Sequence, residues 1–378
     1  MLTQLALTGL LAALLPLAVV WVSGDADKYR KLVWVALFLT FDLIMFGAFT
    51  RLTDSGLGCP DWPGCYGHSN PWLAHAHISA AEALLPDGPV TVMKAWIEMI
   101  HRYLAMAVGV LIIALVVIAW RMWLKSARRD RKFSPVLPSV LLAFVCLQGA
   151  FGAWTVTMKL QPIIVTTHLL LGLSLLGLLA WLGVRQNQPL AVRAPASMLA
   201  GAAALGLGLL AIQIALGGWV STNYAALACT DFPLCHGSLL PQMDFVHGFN
   251  PWRALGKTVD GAYLPFPALT AIHWTHRSFA FIVLAYLGWL GWRAQQMVPL
   301  RGLGRWLLGA LALQLMTGLA TIFLSWPLAI AVAHNGGAAL LVLLMVMLNY
   351  KVRYLTQPTS DLLPAGNLKP AYLQSPNP

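Results

Sequence analysis

Four histidines, His101, His168, His276 and His334, carry the most distinctive chemistry in this sequence. Each lies in a long apolar run, where an ionisable side chain is rare and marks a functional position. They recur in pairs when the second half of the chain is laid over the first. EMIHR (98–102) falls on HWTHR (273–277), and the register that lays LQGAFGAWT (147–155) on LQLMTGLAT (313–321) also carries His168 onto His334. Two imidazoles at matching depth on two helices of a four-helix bundle can grip one planar cofactor between them, and haem is commonly held this way. The pattern predicts two bis-histidine haem sites, one per half. His273 competes with His276 for the ligand role, but only His276 reproduces the His-Arg register. Zinc fits less well, because no Cys or carboxylate joins each pair at the same depth to complete four ligands. The sequence contains no P-loop, GxGxxG or Ser-His-Asp pattern.

The repeat breaks at Glu98, whose counterpart is His273. Glu98 and His101, at i and i+3, share a helical face. The carboxylate is thereby placed to accept a proton or stabilise a cationic intermediate at the edge of the first cofactor. A carboxylate merely solvated at the helix mouth is the alternative. Arg102 and Arg277 each follow a ligand candidate, and either pair with haem propionates or snorkel toward the interface. Asp42, opposite Ile212 in the repeat, belongs to a proton path or hydrogen-bonds a neighbouring helix.

Two cysteine motifs share one spacing, Cys59/Cys65 in LGCPDWPGCYGH (57–68) and Cys229/Cys235 in LACTDFPLCHG (227–237). Both read as small disulfide loops on an oxidising face. For Cys229/Cys235 the expectation is a structural staple worth roughly 2 kcal/mol. For Cys59/Cys65 a staple and a redox-active role both stand, since exposed short-loop disulfides are the labile kind. Cys146, alone in an apolar helix, reads as packing.

The elements that position these groups must cross a membrane. The chain has 378 residues, 59% hydrophobic and 10% charged, with a mean hydropathy of +0.72, which excludes a soluble enzyme. Runs of about 20 apolar residues, enough to span a bilayer, lie near Leu2–Val22, Leu32–Thr50, Met99–Arg121, Leu137–Met158, Ile163–Gly183, Ser197–Ser221, Ala271–Trp292, Leu303–Leu324 and Ala329–Tyr350. The first lacks the basic flank of a signal peptide and reads as a retained helix.

Net charge is +11, and Lys and Arg gather on alternate segments: Lys28 to Lys31, Arg121 to Lys132, Arg185 and Arg193, Arg293 to Arg305, and Lys351 onward. Opposite them stand only Arg51, Lys94, Lys159, Arg253 and Lys257. The basic side is cytoplasmic, which puts the N-terminus and the loops 51–98 and 222–270 in the periplasm of a bacterial inner membrane, with the C-terminus in the cytoplasm. Nucleic-acid binding has no support, because topology alone accounts for the basic residues.

The expected fold is an all-α polytopic membrane protein, two parallel pseudo-symmetric four-helix bundles plus an extra N-terminal transmembrane helix. Its divisions are 1–31 (extra helix and loop), 32–185 (first bundle), 186–355 (second bundle) and 356–378 (tail).

With these residues in view, the chain resembles the haem A synthases of the terminal-oxidase assembly pathway. The resemblance covers about residues 32 to 350 and rests on GAFTRLTDSGLGCPDWPGCYG, EMIHR and the four histidines. It implies an eight-helix core and an enzyme that oxidises the C8 methyl of haem O to a formyl group, through an alcohol and a gem-diol that loses water. By position it implies haem O between His101 and His168 with Glu98 beside the reacting edge. It likewise implies an electron-relaying haem b between His276 and His334, and Cys59/Cys65 as the family's periplasmic pair near the substrate. The implied partners are haem O, the haem O synthase that supplies it, cytochrome oxidase assembly factors and membrane lipid, with a homo-oligomer left open. Two other classes stand beside it: a quinone-linked di-haem b-type cytochrome, which would use the same histidines without needing Glu98, and a haem transporter or chaperone, which would need an exit route and reversible binding.

Overall fold

The computed structural model describes residues 1–128, 130–186 and 198–354. Arg129, Arg193, Lys369 and the expected 356–378 tail lie outside the described residues. Eleven α-helices follow in order: α1 (Leu2–Val22), α2 (Lys28–Leu52), α3 (His75–Leu84), α4 (Val92–Lys125), α5 (Val136–Thr157), α6 (Pro162–Gln186), α7 (Ala200–Thr222), α8 (Phe245–Gly248), α9 (Phe266–Gln296), α10 (Arg301–Phe323) and α11 (Leu328–Tyr354). The described residues contain no strand, only isolated bridges in the loops. In hydrocarbon every backbone polar group must be satisfied within its own segment, which a helix achieves and an open strand does not.

Each of the nine apolar runs is a helix. Among the described residues eight are long and apolar enough to cross a membrane, making this a multi-pass membrane protein. The ninth, α9, is 31 residues long but carries His273, Thr275, His276, Arg277 and Ser278 close together, which dilutes its hydropathy. It packs between α7 and α10 all the same.

Several helices begin before their apolar runs, α4 at Val92 and α9 at Phe266, so His101 and His276 lie well inside. Local chemistry sets these starts. The Thr91 side chain caps α4 by accepting the Lys94 amide at 3.2 Å, Asp27 caps α2 through the Arg30 amide at 3.0 Å, and α9 opens with a proline in its first turn.

Neighbour relations close two rings of four helices, α2–α4–α5–α6 and α7–α9–α10–α11, which meet where α11 packs on α2 and α6, and α6 on α7. One continuous apolar core runs through both, from Leu32 and Val33 on α2 to Met345 and Leu348 on α11. Helix α1 lies outside the rings against α4 and α2, and its Leu5 joins Cys59, Cys65, Ile78 and Met99 in a satellite core beneath the first loop.

The two loops are built alike. Disulfides join Cys59 to Cys65 and Cys229 to Cys235. Asp61 accepts the amides of Tyr66 at 2.6 Å and Gly67 at 2.7 Å, and Asp231 accepts those of His236 at 2.8 Å and Gly237 at 2.9 Å. Those amides hold Asp231 below the usual carboxylate range, Gly237 having the largest effect, against the opposing effect of burial and with help from His236. The turns need left-handed backbone, with φ of 73° at Gly67 and 72° at Gly237, where glycine carries no Cβ penalty.

Candidate functional site

One cavity of about 670 Å³ reaches all four predicted histidines, together with Glu98, Arg102 and Arg277, and lies within the size range of cofactor sites. His101 comes from α4 and His168 from α6; His276 comes from α9 and His334 from α11.

Each imidazole lies against a glycine. A Cβ at Gly47 would sit 2.9 Å from Cε1 of His101, at Gly152 3.4 Å from that of His168, at Gly217 2.9 Å from that of His276, and at Gly318 3.1 Å from that of His334. Those four glycines occupy two repeat-equivalent pairs, Gly47 with Gly217 and Gly152 with Gly318.

Amides border three of the rings. Gln148 Nε2 donates to the His168 carbonyl at 3.0 Å and lies 3.3 Å from its Nε2. Gln213 Nε2 lies 3.1 Å from His276 Nδ1 and donates to the carbonyl of His276 at 3.2 Å. Gln314 Nε2 is 3.3 Å from His334 Nε2, and Thr317 Oγ1 is 3.0 Å from His334 Nδ1. His101 has a stacked Phe46 ring instead, at 6.3 Å between centroids.

These residues fit an iron-bearing planar group. Nδ1 of His101 and of His168 is buried without a partner, and so is Oε1 of Gln148, Gln213 and Gln314. An imidazole that gives one nitrogen to a metal carries its proton on the other and needs a nearby acceptor. Among the described residues, the one trio placed to hold a bare metal ion is Cys229, Cys235 and His236, and the disulfide between those cysteines removes it.

Glu98 is buried, at 4% exposure, and is not a solvated helix-mouth group. Its Oε2 accepts the Cys59 amide at 2.8 Å, and its Oε1 accepts Arg102 Nη2 at 2.6 Å. Arg102 Nη1 donates to the carbonyls of Asp61 at 3.0 Å, Pro63 at 3.3 Å and Gly64 at 2.5 Å, so it faces the loop as well as the cavity. Arg277 repeats the motif with Nη2 bonds to the carbonyls of Asp231 at 2.8 Å and Leu234 at 3.1 Å, while its Nη1 is buried without a partner. His273 stands where Glu98 does, its Nδ1 accepting the Cys229 amide at 3.2 Å.

A profile of the cytochrome oxidase assembly protein family matches residues 30–346. The chain belongs to this family. Relatives named heme A synthase include one from Shewanella oneidensis, 41% identical over 335 residues that cover 87% of this chain and 99% of that protein. Others come from Dinoroseobacter shibae, 28% identical with 85% and 87% covered, and from Methylobacterium sp., 29% identical with 90% and 98% covered. The family match begins after α1, so the helix that covers the first disulfide loop lies outside it.

Three of the sequence expectations change. Cys146 is not packing but exposed at the edge of the cavity. Asp42 is exposed on α2 and does not border the cavity. The Cys59–Cys65 bond is not exposed, since both residues are 0% accessible.

The glutamines, Thr317 and the glycines were missed, although Gln148/Gln314 and both glycine pairs fall on each other in the repeat. Also missed was a cluster joining the halves. Arg51 donates to the Ser221 carbonyl at 2.7 Å and pairs with Asp54 at 3.1 Å, and Tyr224 donates to Asp54 at 2.6 Å. Ser221 and Tyr224 are the repeat counterparts of Arg51 and Asp54, so this cluster lies where the two copies of one segment meet.

Proposed function

We propose that this chain is a haem A synthase of the bacterial inner membrane, oxidising the C8 methyl of haem O to a formyl group through an alcohol and a gem-diol. The observation that carries the reading is an asymmetry: one cavity touches two histidine pairs, and a carboxylate stands beside only one of them, with His273 at the other position.

In this reading His101 and His168 hold haem O in the bundle 32–185, and His276 and His334 hold haem b in the bundle 186–355. Haem b supplies one-electron transfer when bound. Glu98 takes the proton released as a C–H or O–H bond of the substrate is broken. The Cys59 amide and Arg102 fix its rotamer, so it meets the substrate without reorganising. Arg102 and Arg277 face the cofactor carboxylates, and the unpartnered Nη1 of Arg277 is the free donor for one.

The distribution of Lys and Arg orients the chain with its disulfide loops in the periplasm and its C-terminus in the cytoplasm. Haem O then arrives from the haem O synthase within the bilayer, and the product passes to cytochrome oxidase assembly.

Mass analysis of the haems extracted from the purified membrane protein tests the reading. We expect haem b together with haem O and its hydroxylated and formyl products. Haem b alone would make this a b-type cytochrome, and a single reversibly bound, unmodified haem would make it a carrier.

A further inference from the structure

Eight helix seams close the two rings. That between α4 and α5 is the most loosely packed, and its counterpart in the second ring, α9 against α10, is the most closely packed. The sequence shows why. Gly109 on α4 and Gly149 on α5 both border the cavity, and a Cβ at either would meet nothing within 4 Å. Their repeat counterparts are Leu284 and Leu315, which border the same cavity in the second ring and carry branched side chains where the first ring has none.

Two more residues of the α4–α5 seam border the cavity while being exposed on the outer surface, Ile113 at 50% and Cys146. A residue that does both marks a place where the cavity reaches the surface, as Phe281 and Leu315 also do in the second ring; the α4–α5 seam differs in its looser packing and its glycines. Both helices are long and apolar enough to span the membrane, so this opening faces hydrocarbon rather than water.

We infer that the α4–α5 seam is a lateral portal that seats the isoprenoid tail of haem O and lets substrate and product exchange with the bilayer. The proposal rests on the haem O reading above and deepens it. Haem O differs from haem b by a long isoprenoid chain, for which hydrocarbon is a good solvent and a closed four-helix ring leaves no room. The first ring offers two cavity-lining glycines with open space beside them on its most loosely packed seam. The second ring offers leucines, which suits a cofactor that stays.

The test imports the leucines of the second ring into the first. The full chain in lipid nanodiscs, as wild type and as G109L/G149L, is mixed with haem O carried on vesicles, and the low-spin absorbance is followed in both directions. Uptake and release of haem O should each slow by about tenfold or more, while the b-type spectrum of the second ring is unchanged. Wild-type rates in the double variant would overturn the portal. If that variant loses the b-type spectrum, Cys146→Phe, which blocks the outer rim alone, decides by the same criterion. A wild-type chain that binds no haem O at all would instead defeat the functional reading.

Discussion

Glu98 and His273 do one structural job in two copies of a loop: each accepts the backbone amide of its loop's first cysteine, Glu98 from Cys59 at 2.8 Å and His273 from Cys229 at 3.2 Å. Supporting a disulfide loop therefore requires only an acceptor, and a carboxylate supplies more than that requirement. In Glu98→Gln the amide oxygen still accepts from Cys59, so the disulfide loop and low-spin haem binding should persist. Conversion of haem O should fall by about 100-fold or more, the range for loss of a general acid or base. Haem A formation at the wild-type rate would remove Glu98 from the chemistry. Glu98→Ala, lacking any acceptor, should also loosen the loop.

The glycines opposite the histidines give a test that separates ring orientation from ligation. In Gly217→Ala the new Cβ meets His276 Cε1 at 2.9 Å, an overpacking worth about 1–3 kcal/mol. Haem b content by haemochrome spectroscopy should drop. Gly208→Ala on the same helix meets nothing within 4 Å and should stabilise α7 by up to about 1 kcal/mol, leaving the haem intact. Equal effects from the two would refute the cradle.

Replacing His276 or His334 with alanine should erase the haem b signal and leave a folded chain, because the apolar core across both rings does not depend on either ring nitrogen. Two intact six-coordinate haems in both variants would refute the ligand assignment.

Thiol mapping bears on the loops. Alkylation of intact membranes followed by peptide mass analysis should find Cys59 linked to Cys65 and Cys229 to Cys235, with Cys146 as the thiol available for modification. A water-soluble reductant should act slowly on Cys59–Cys65 until the fold is opened, since both cysteines are fully buried. Rapid reduction in the folded state would restore the redox reading.

Acid should reach the second loop through Asp231. Its folded-state pKa is depressed, so its stabilising contribution is complete above the ordinary value of 3.8 and is lost as pH falls through the lower folded value. The melting-temperature difference between the wild type and Asp231→Asn should hold steady from neutral pH down toward 3.8 and narrow below it. A difference that widens in acid would contradict the hydrogen bonds from Gly237 and His236.

Among the described residues the nine long helices were legible from their apolar runs, that of α9 being interrupted by polar residues, and the four histidines were legible because the repeat displays them twice. Glu98 stood out as a break in that repeat. Its partners did not. The i, i+4 spacing to Arg102 was in the sequence, yet the carbonyls of Asp61, Pro63 and Gly64 reach Arg102 only once the loop folds back over α4. Gln213 was hidden for a similar reason: its counterpart is Leu43, so the repeat gives no signal, and only the packing of α7 on α9 brings its amide to His276. Exposure of Cys146 depends on how loosely two helices meet, which no single run of residues encodes.

The cavity common to both histidine pairs has a thermodynamic consequence. Because both pairs border one cavity, an occupant at one pair would change the charge and shape met by an occupant at the other. Such coupling is reciprocal: whatever factor the resident group applies to the affinity of the visitor, the visitor applies to the resident. Loading order then becomes a property of the protein, and a chain purified with one side filled is a different receptor from an empty one.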